Sequence, residues 1–69
     1  MPTDTRPRIL RLPAVKDRTG CSTSTIDRKE RAGEFPRRIK IGANSVGWLE
    51  EEIDRHIEEL IAARDAEAA

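Results

Sequence analysis

The sequence predicts a mainly α fold with one small β-hairpin, in the order helix, tight turn, helix, hairpin, helix. Three observations predict it. Two short helix-forming segments, "PAVKDRTG" and the run from Thr23 to Ala32, each stop at a glycine and are joined by "GCS". "RRIKIG" and "VGWL" alternate around the turn-forming residues "GANS". The last segment repeats Ile53, Ile57, Leu60 and Ile61 at i, i+4, i+7 and i+8, the spacing of one helix face. Two short helices joined by a tight turn are a helix-turn-helix. The basic hairpin beside them makes a wing.

Each element follows from local chemistry. Residues 1–7 are polar with two prolines and read as a disordered arm. "RILRL" is either a short strand or an extended lead-in. Pro13 sits where a first helical residue has no N–H bond to lose. Gly20 suits the left-handed cap that ends the first helix. Leu12, Val15 and the Thr19 methyl fall on one side of that helix. Ser22 opens the second helix, with its hydroxyl placed to accept from first-turn N–H groups. Gly33 closes the helix. Phe35 is a large apolar anchor, and Pro36 forbids helix continuation. Residues 37–48 form the hairpin, with Ile39 and Ile41 buried on one face and Arg38 and Lys40 on the other. Glu50, Glu51 and Glu52 crowd the first turn of the last helix, where the helix dipole favours negative charge. "AARDAEAA" should fray. The domain therefore covers 8–65, with 66–69 as a loose tail.

At 69 residues there is room for one domain, whose core rarely supplies more than about 3–5 kcal/mol. One cysteine cannot form an internal disulfide, and no apolar run or leader pattern marks a membrane or secreted protein. A cytoplasmic, nucleoid-associated chain is the expectation. The net charge of zero hides a split. Met1–Leu49 carries 11 Lys/Arg against 5 Asp/Glu, and Glu50–Ala69 carries 2 against 8. The basic body suits a polyanion, and the acidic tail suits solvent or a basic protein.

The second helix places the candidate residues. With Ile26 at the centre of the buried face, Ser24, Arg28 and Arg31 point directly away from it. Thr25 and Asp27 lie on the flanks. A face that is small at its start and basic further along suits a major groove of double-stranded DNA. The start of the helix, with Ser22 and Thr23, can hold phosphate oxygens. Ser24, Thr25, Arg28 and Arg31 are placed for base edges, arginine being the commonest guanine reader. On the hairpin, Arg37, Arg38 and Lys40 suit phosphates, and Asn44 and Ser45 at the tip suit backbone or minor-groove edges. A plainer reading remains beside this one: Ser22 caps a helix, the arginines solubilise a surface, and edge-strand cations block aggregation.

"ILRLPAVKDRTGCSTSTIDR", "RAGEFPRRIKIG" and "VGW" before an acidic helix start resemble the AlpA family of phage-type regulators. These are small winged helix-turn-helix proteins related in fold to excisionases and to the DNA-binding heads of MerR-type regulators. The likeness covers residues 8–61. It implies transcriptional control of mobile-element genes, or excisionase-like DNA bending beside an integrase. It also implies that residues 22–31 are the recognition helix and 37–48 the wing. Two positions depart from the family. Members commonly have an aromatic residue where Asp27 stands and apolar residues near Lys29 and Glu30. Asp27 is spaced to pair with Arg31 at i+4, and the Lys29 stem can lie over the core edge. Such departures predict a weakly packed second helix.

No catalytic, cofactor or metal site is predicted. One Cys and one His cannot assemble a metal set, and His56 has no recognisable partners for catalysis. It takes a position often aromatic in the family and reads as a flat ring closing the core edge. Cys21 reads as a small buried residue. No small-molecule ligand is expected. Partners beyond DNA are an integrase or a second copy, met through the C-terminal helix. The rival from another class is a protein-interaction module without DNA binding. Asp27, Glu30 and the acidic last helix motivate it, with the charge split driving head-to-tail association or capture of a basic partner.

Overall fold

The computed structural model describes Arg8–Ala68. The expected N-terminal arm and Ala69 lie outside the described residues. The elements run β1 (Ile9–Leu10), α1 (Leu12–Thr19), α2 (Thr23–Arg31), β2 (Ile39–Gly42), β3 (Ser45–Leu49) and α3 (Glu50–Ala68). This is a mainly α chain with a small hairpin, consistent with a winged helix-turn-helix. None of its helices is long and apolar enough to cross a membrane, among the described residues.

The glycine stops act as their positions require. Gly20 takes φ 73° and its N–H bonds to the Lys16 carbonyl, ending α1. Gly33 takes φ 77° after α2. Its N–H reaches the Glu30 carbonyl and the Glu34 N–H reaches Lys29, the paired bonds of a Schellman ending. Gly20 thus turns the chain between α1 and α2, and Gly33 turns it out of α2 toward the hairpin.

"RILRL" resolves as a strand. Ile9 pairs with Leu49 and Leu10 with Trp48, so the hairpin gains a third, antiparallel strand in the order β1-β3-β2. The Glu50 N–H also donates to the Arg8 carbonyl at 2.8 Å, tying the start of α3 to the start of the domain. The turn between β2 and β3 shrinks to Ala43 and Asn44, with Gly42 paired to Ser45 and a register shift between Lys40 and Gly42.

The core is Leu10, Val15, Ile26, Phe35, Trp48 and Ile53. Every element except β2 supplies one, and the α2–β2 loop supplies Phe35. Trp48 is fully buried, and its indole N–H donates to the Pro36 carbonyl at 3.2 Å, which satisfies the ring's one polar atom. Cys21 is half-buried against this cluster. His56 is half-buried and meets Phe35 edge-on, with centroids 5.0 Å apart, so the ring does close the core edge.

The hairpin isoleucines are a correction. Ile39 is only half-buried and Ile41 is 45% exposed. Trp48 occupies the inner face of β3, so the pleat sends its neighbour Gly47 outward. There the Ile9 and Ile41 side chains converge over the glycine. A Cβ on Gly47 would overlap Ile9 and come within 2.8 Å of Ile41 Cδ1. The isoleucines therefore coat the outside of the sheet. α3 runs without interruption to Ala68. Alanine, the best helix former, supplies much of that last stretch.

Candidate nucleic-acid interface

The site begins with the cap of α2. Ser22 has extended backbone, and its hydroxyl oxygen accepts the Thr25 N–H at 3.2 Å while donating to Thr25 Oγ1 at 3.0 Å. Thr23 and Ser24 are exposed beside it. A turn further on, Arg28 and Arg31 are exposed on the same outward face, as the wheel predicts. Among the described residues neither arginine makes an ion pair.

The opposite edge of α2 is different. Ile26 is the one buried side chain of this helix, so apolar packing alone holds it weakly. Arg38 supplies the rest. Its backbone N–H donates to Glu30 Oε2 at 2.7 Å, and its Nε donates to Glu30 Oε1 at 2.7 Å. Its Nη2 reaches Asp27 Oδ1 at 2.5 Å. The guanidinium also lies over the Trp48 ring, 5.1 Å from its centroid. One side chain thus joins the base of the hairpin, two carboxylates of α2 and the central core residue. Asp27 pairs here rather than with Arg31.

The electrostatics follow from this geometry. Burial alone would push the Glu30 carboxyl up. The Arg38 side-chain and backbone hydrogen bonds, and its charge, outweigh burial and hold Glu30 below the usual carboxylate range. Hydrogen bonds to Glu30 and then Asp27 push the Arg38 guanidinium up. Burial, and secondarily the charge of Lys29, hold the His56 imidazole below its ordinary value, against the pull of Glu59.

A shallow groove runs between α2 and the base of the hairpin, lined by Asp27, Glu30, Arg31, Gly33, Phe35, Arg37 and Arg38. It brings Arg31 of α2 and Arg37 of the α2–β2 loop to one surface. Lys40 and Asn44 are exposed further along the hairpin, and Ser45 is half-buried in its pair with Gly42. Ser22, Thr23, Ser24, Thr25, Arg28 and Arg31 therefore lie on α2 and its cap, while Lys40, Asn44 and Ser45 stand apart on the hairpin. No group of three His, Cys, Asp or Glu side chains among the described residues is placed to hold a metal ion.

Two arginine clusters escaped the sequence reading. The first is Arg38 with Asp27 and Glu30, whose i, i+3 spacing along one helix edge was its visible signal. The second is Arg18, which bridges Glu50 at 2.8 Å and Asp54 at 2.7 Å and ties α1 to α3. No local spacing announces that contact, since its partners lie more than 30 residues apart.

The family model described as the prophage CP4-57 regulatory protein (AlpA) matches residues 8–61. The chain belongs to the AlpA family. The matched span takes in the helix-turn-helix, the whole sheet and the packed half of α3. Two relatives carry the likeness further. The "DNA-binding transcriptional activator AlpA" of Escherichia coli (strain K12) is 43% identical over 53 residues, covering 68% of this chain and 76% of that protein. An uncharacterised protein, ORF88, of Enterobacteria phage P4 is 39% identical over 64 residues, covering 93% of this chain and 73% of that one. No solved structure matches this AlpA-family chain.

Proposed function

We propose that this AlpA-family chain is a sequence-specific DNA-binding regulator of phage or mobile-element type. The observation that carries the reading is the outward face of α2, small and hydroxylated at its capped start and carrying the exposed Arg28 and Arg31 beyond it. α2 lies in the major groove. Ser24, Thr25, Arg28 and Arg31 meet base edges, and Ser22 and Thr23 at the helix start meet phosphate. The hairpin is the wing, with Arg37 and Lys40 on phosphates, Asn44 at the tip and Ser45 beside it at the start of β3. Membership of the family, and the printed role of its Escherichia coli relative, support the same reading.

Arg38 takes a different role from the phosphate contact its sequence position suggests. It positions the wing on α2, and its guanidinium is spent on Asp27, Glu30 and Trp48. The same contacts weaken the case for an interaction module without DNA binding. The two acids beside the DNA face are turned toward an arginine and partly neutralised.

The test is a titration of Arg28→Ala against selected duplex sites. Loss of about 1–3 kcal/mol with relaxed base preference is expected. Unchanged affinity and preference would show that α2 does not read sequence. Measuring DNA bending by circular permutation then separates a regulator from an excisionase acting beside an integrase.

A further inference from the structure

Among the described residues, four large hydrophobic side chains are strongly exposed, and they fall into two patches. Ile9 and Ile41 meet over Gly47 on the outer face of the sheet, 42% and 45% exposed. Leu60 and Ile61 stand on α3, 47% and 45% exposed. They lie just past Ile57, the last side chain of α3 that packs on the core. Single exposed hydrophobics are ordinary; paired ones on a domain this small mark a surface that another molecule covers.

The two patches belong to segments of opposite net charge. The described body, Arg8–Leu49, carries 10 Lys/Arg against 4 Asp/Glu. α3 beyond Ile57 carries four acids against Arg64 alone. The two patches cannot meet within one chain. α3 leaves directly from the end of β3, and at 1.5 Å per residue Leu60 stands about 15 Å beyond Glu50 along a straight helix.

We propose that the distal half of α3 of one copy docks on the outer sheet face of a second copy. Leu60 and Ile61 lie against Ile9 and Ile41, and the acidic flanks of the helix face the basic body of the neighbour. Such a contact is heterologous: each copy offers one surface and receives the other, so copies join in a row that stays open unless the rotation between them closes a ring. Neither patch includes α2, so the Ser24–Arg28–Arg31 face stays uncovered in every copy. The association itself does not depend on the DNA-binding reading. If that reading holds, the row makes binding to adjacent sites cooperative.

The experiment is sedimentation velocity on the full chain at low and high salt, with two variants. One carries Leu60→Ser and Ile61→Ser; the other carries Ile41→Glu. All three side chains are exposed, and unchanged circular dichroism and melting confirm that the variants fold. The wild-type mass should rise with concentration and fall back with salt. Each variant alone should remain a monomer. Mixed together they should form a complex of two chains and no larger, because the intact helix of one fits the intact sheet of the other. A wild-type chain that stays monomeric at low salt would overturn the proposal. So would an Ile41→Glu variant that still self-associates, which would mean helix-to-helix pairing, or a mixture that fails to recover the pair. On duplexes with two adjacent sites, the Leu60→Ser, Ile61→Ser variant should lose cooperativity while keeping single-site affinity. If the wild type binds no DNA, sedimentation still decides the association.

Discussion

The two edges of α2 carry opposite charges and serve different ends. On the outward edge, Arg28 and Arg31 stand exposed with no ion pair among the described residues. On the inward edge, Asp27 and Glu30 are half-buried and held by Arg38 from the end of the α2–β2 loop. A cation near α2 is therefore not automatically a candidate DNA contact. What separates the two sets is their partners: a guanidinium already bonded to two carboxylates and stacked on an indole has little left for a phosphate.

The largest expected effect removes the inward edge altogether. Ile26→Ala deletes the one side chain that α2 buries and should cost about 2–5 kcal/mol. For a core worth only about 3–5 kcal/mol this approaches complete unfolding, visible as a lost transition in urea or thermal denaturation. A well-folded Ile26→Ala variant would mean that the Arg38 contacts hold α2 almost unaided.

Arg38→Gln tests the polar half of the same edge. The pairs are partly solvated, with the Arg38 side chain 35% exposed, so each is worth at most about 1 kcal/mol. With the contact to Trp48 included, a loss of about 1–2 kcal/mol is expected. Arg28→Ala on the outward edge should leave the denaturation midpoint in place. Equal destabilisation by both would erase the distinction between the edges.

A smaller effect comes from pH. The folded His56 imidazole is held below its ordinary 6.5, so the unfolded chain takes up a proton first as pH falls. Stability is therefore lost as pH drops from about 6.5 through the folded value, and His56→Phe should flatten that step. The folded Glu30 carboxyl also lies below its ordinary 4.5. Its contribution is complete above that pH and is lost as pH falls through the lower folded value. Glu30→Gln should remove this second, more acidic step and leave the first.

The helices, the Ser22 cap, both glycine stops and the outward face of α2 were legible because each rests on contacts within a few residues. The departures at Asp27 and Glu30 were visible as departures, but their partner lies across the α2–β2 loop. The sheet was harder. Alternation shows that Ile39 and Ile41 share a face without showing which face is inside. Trp48 decides that by filling the core, and Gly47 then opens a notch where Ile9 and Ile41 meet. The third strand is not legible because two residues carry almost no pattern, and pairing with β3 is what defines them.

The most direct test of the account is the salt dependence of binding to duplex DNA. Each cation that neutralises a phosphate contributes about 0.9 to the log–log slope. The account predicts a wild-type slope of several units, reduced by about one in Lys40→Gln and unchanged in Arg38→Gln. A slope that falls equally in both variants would contradict it, by placing Arg38 on the DNA rather than on α2.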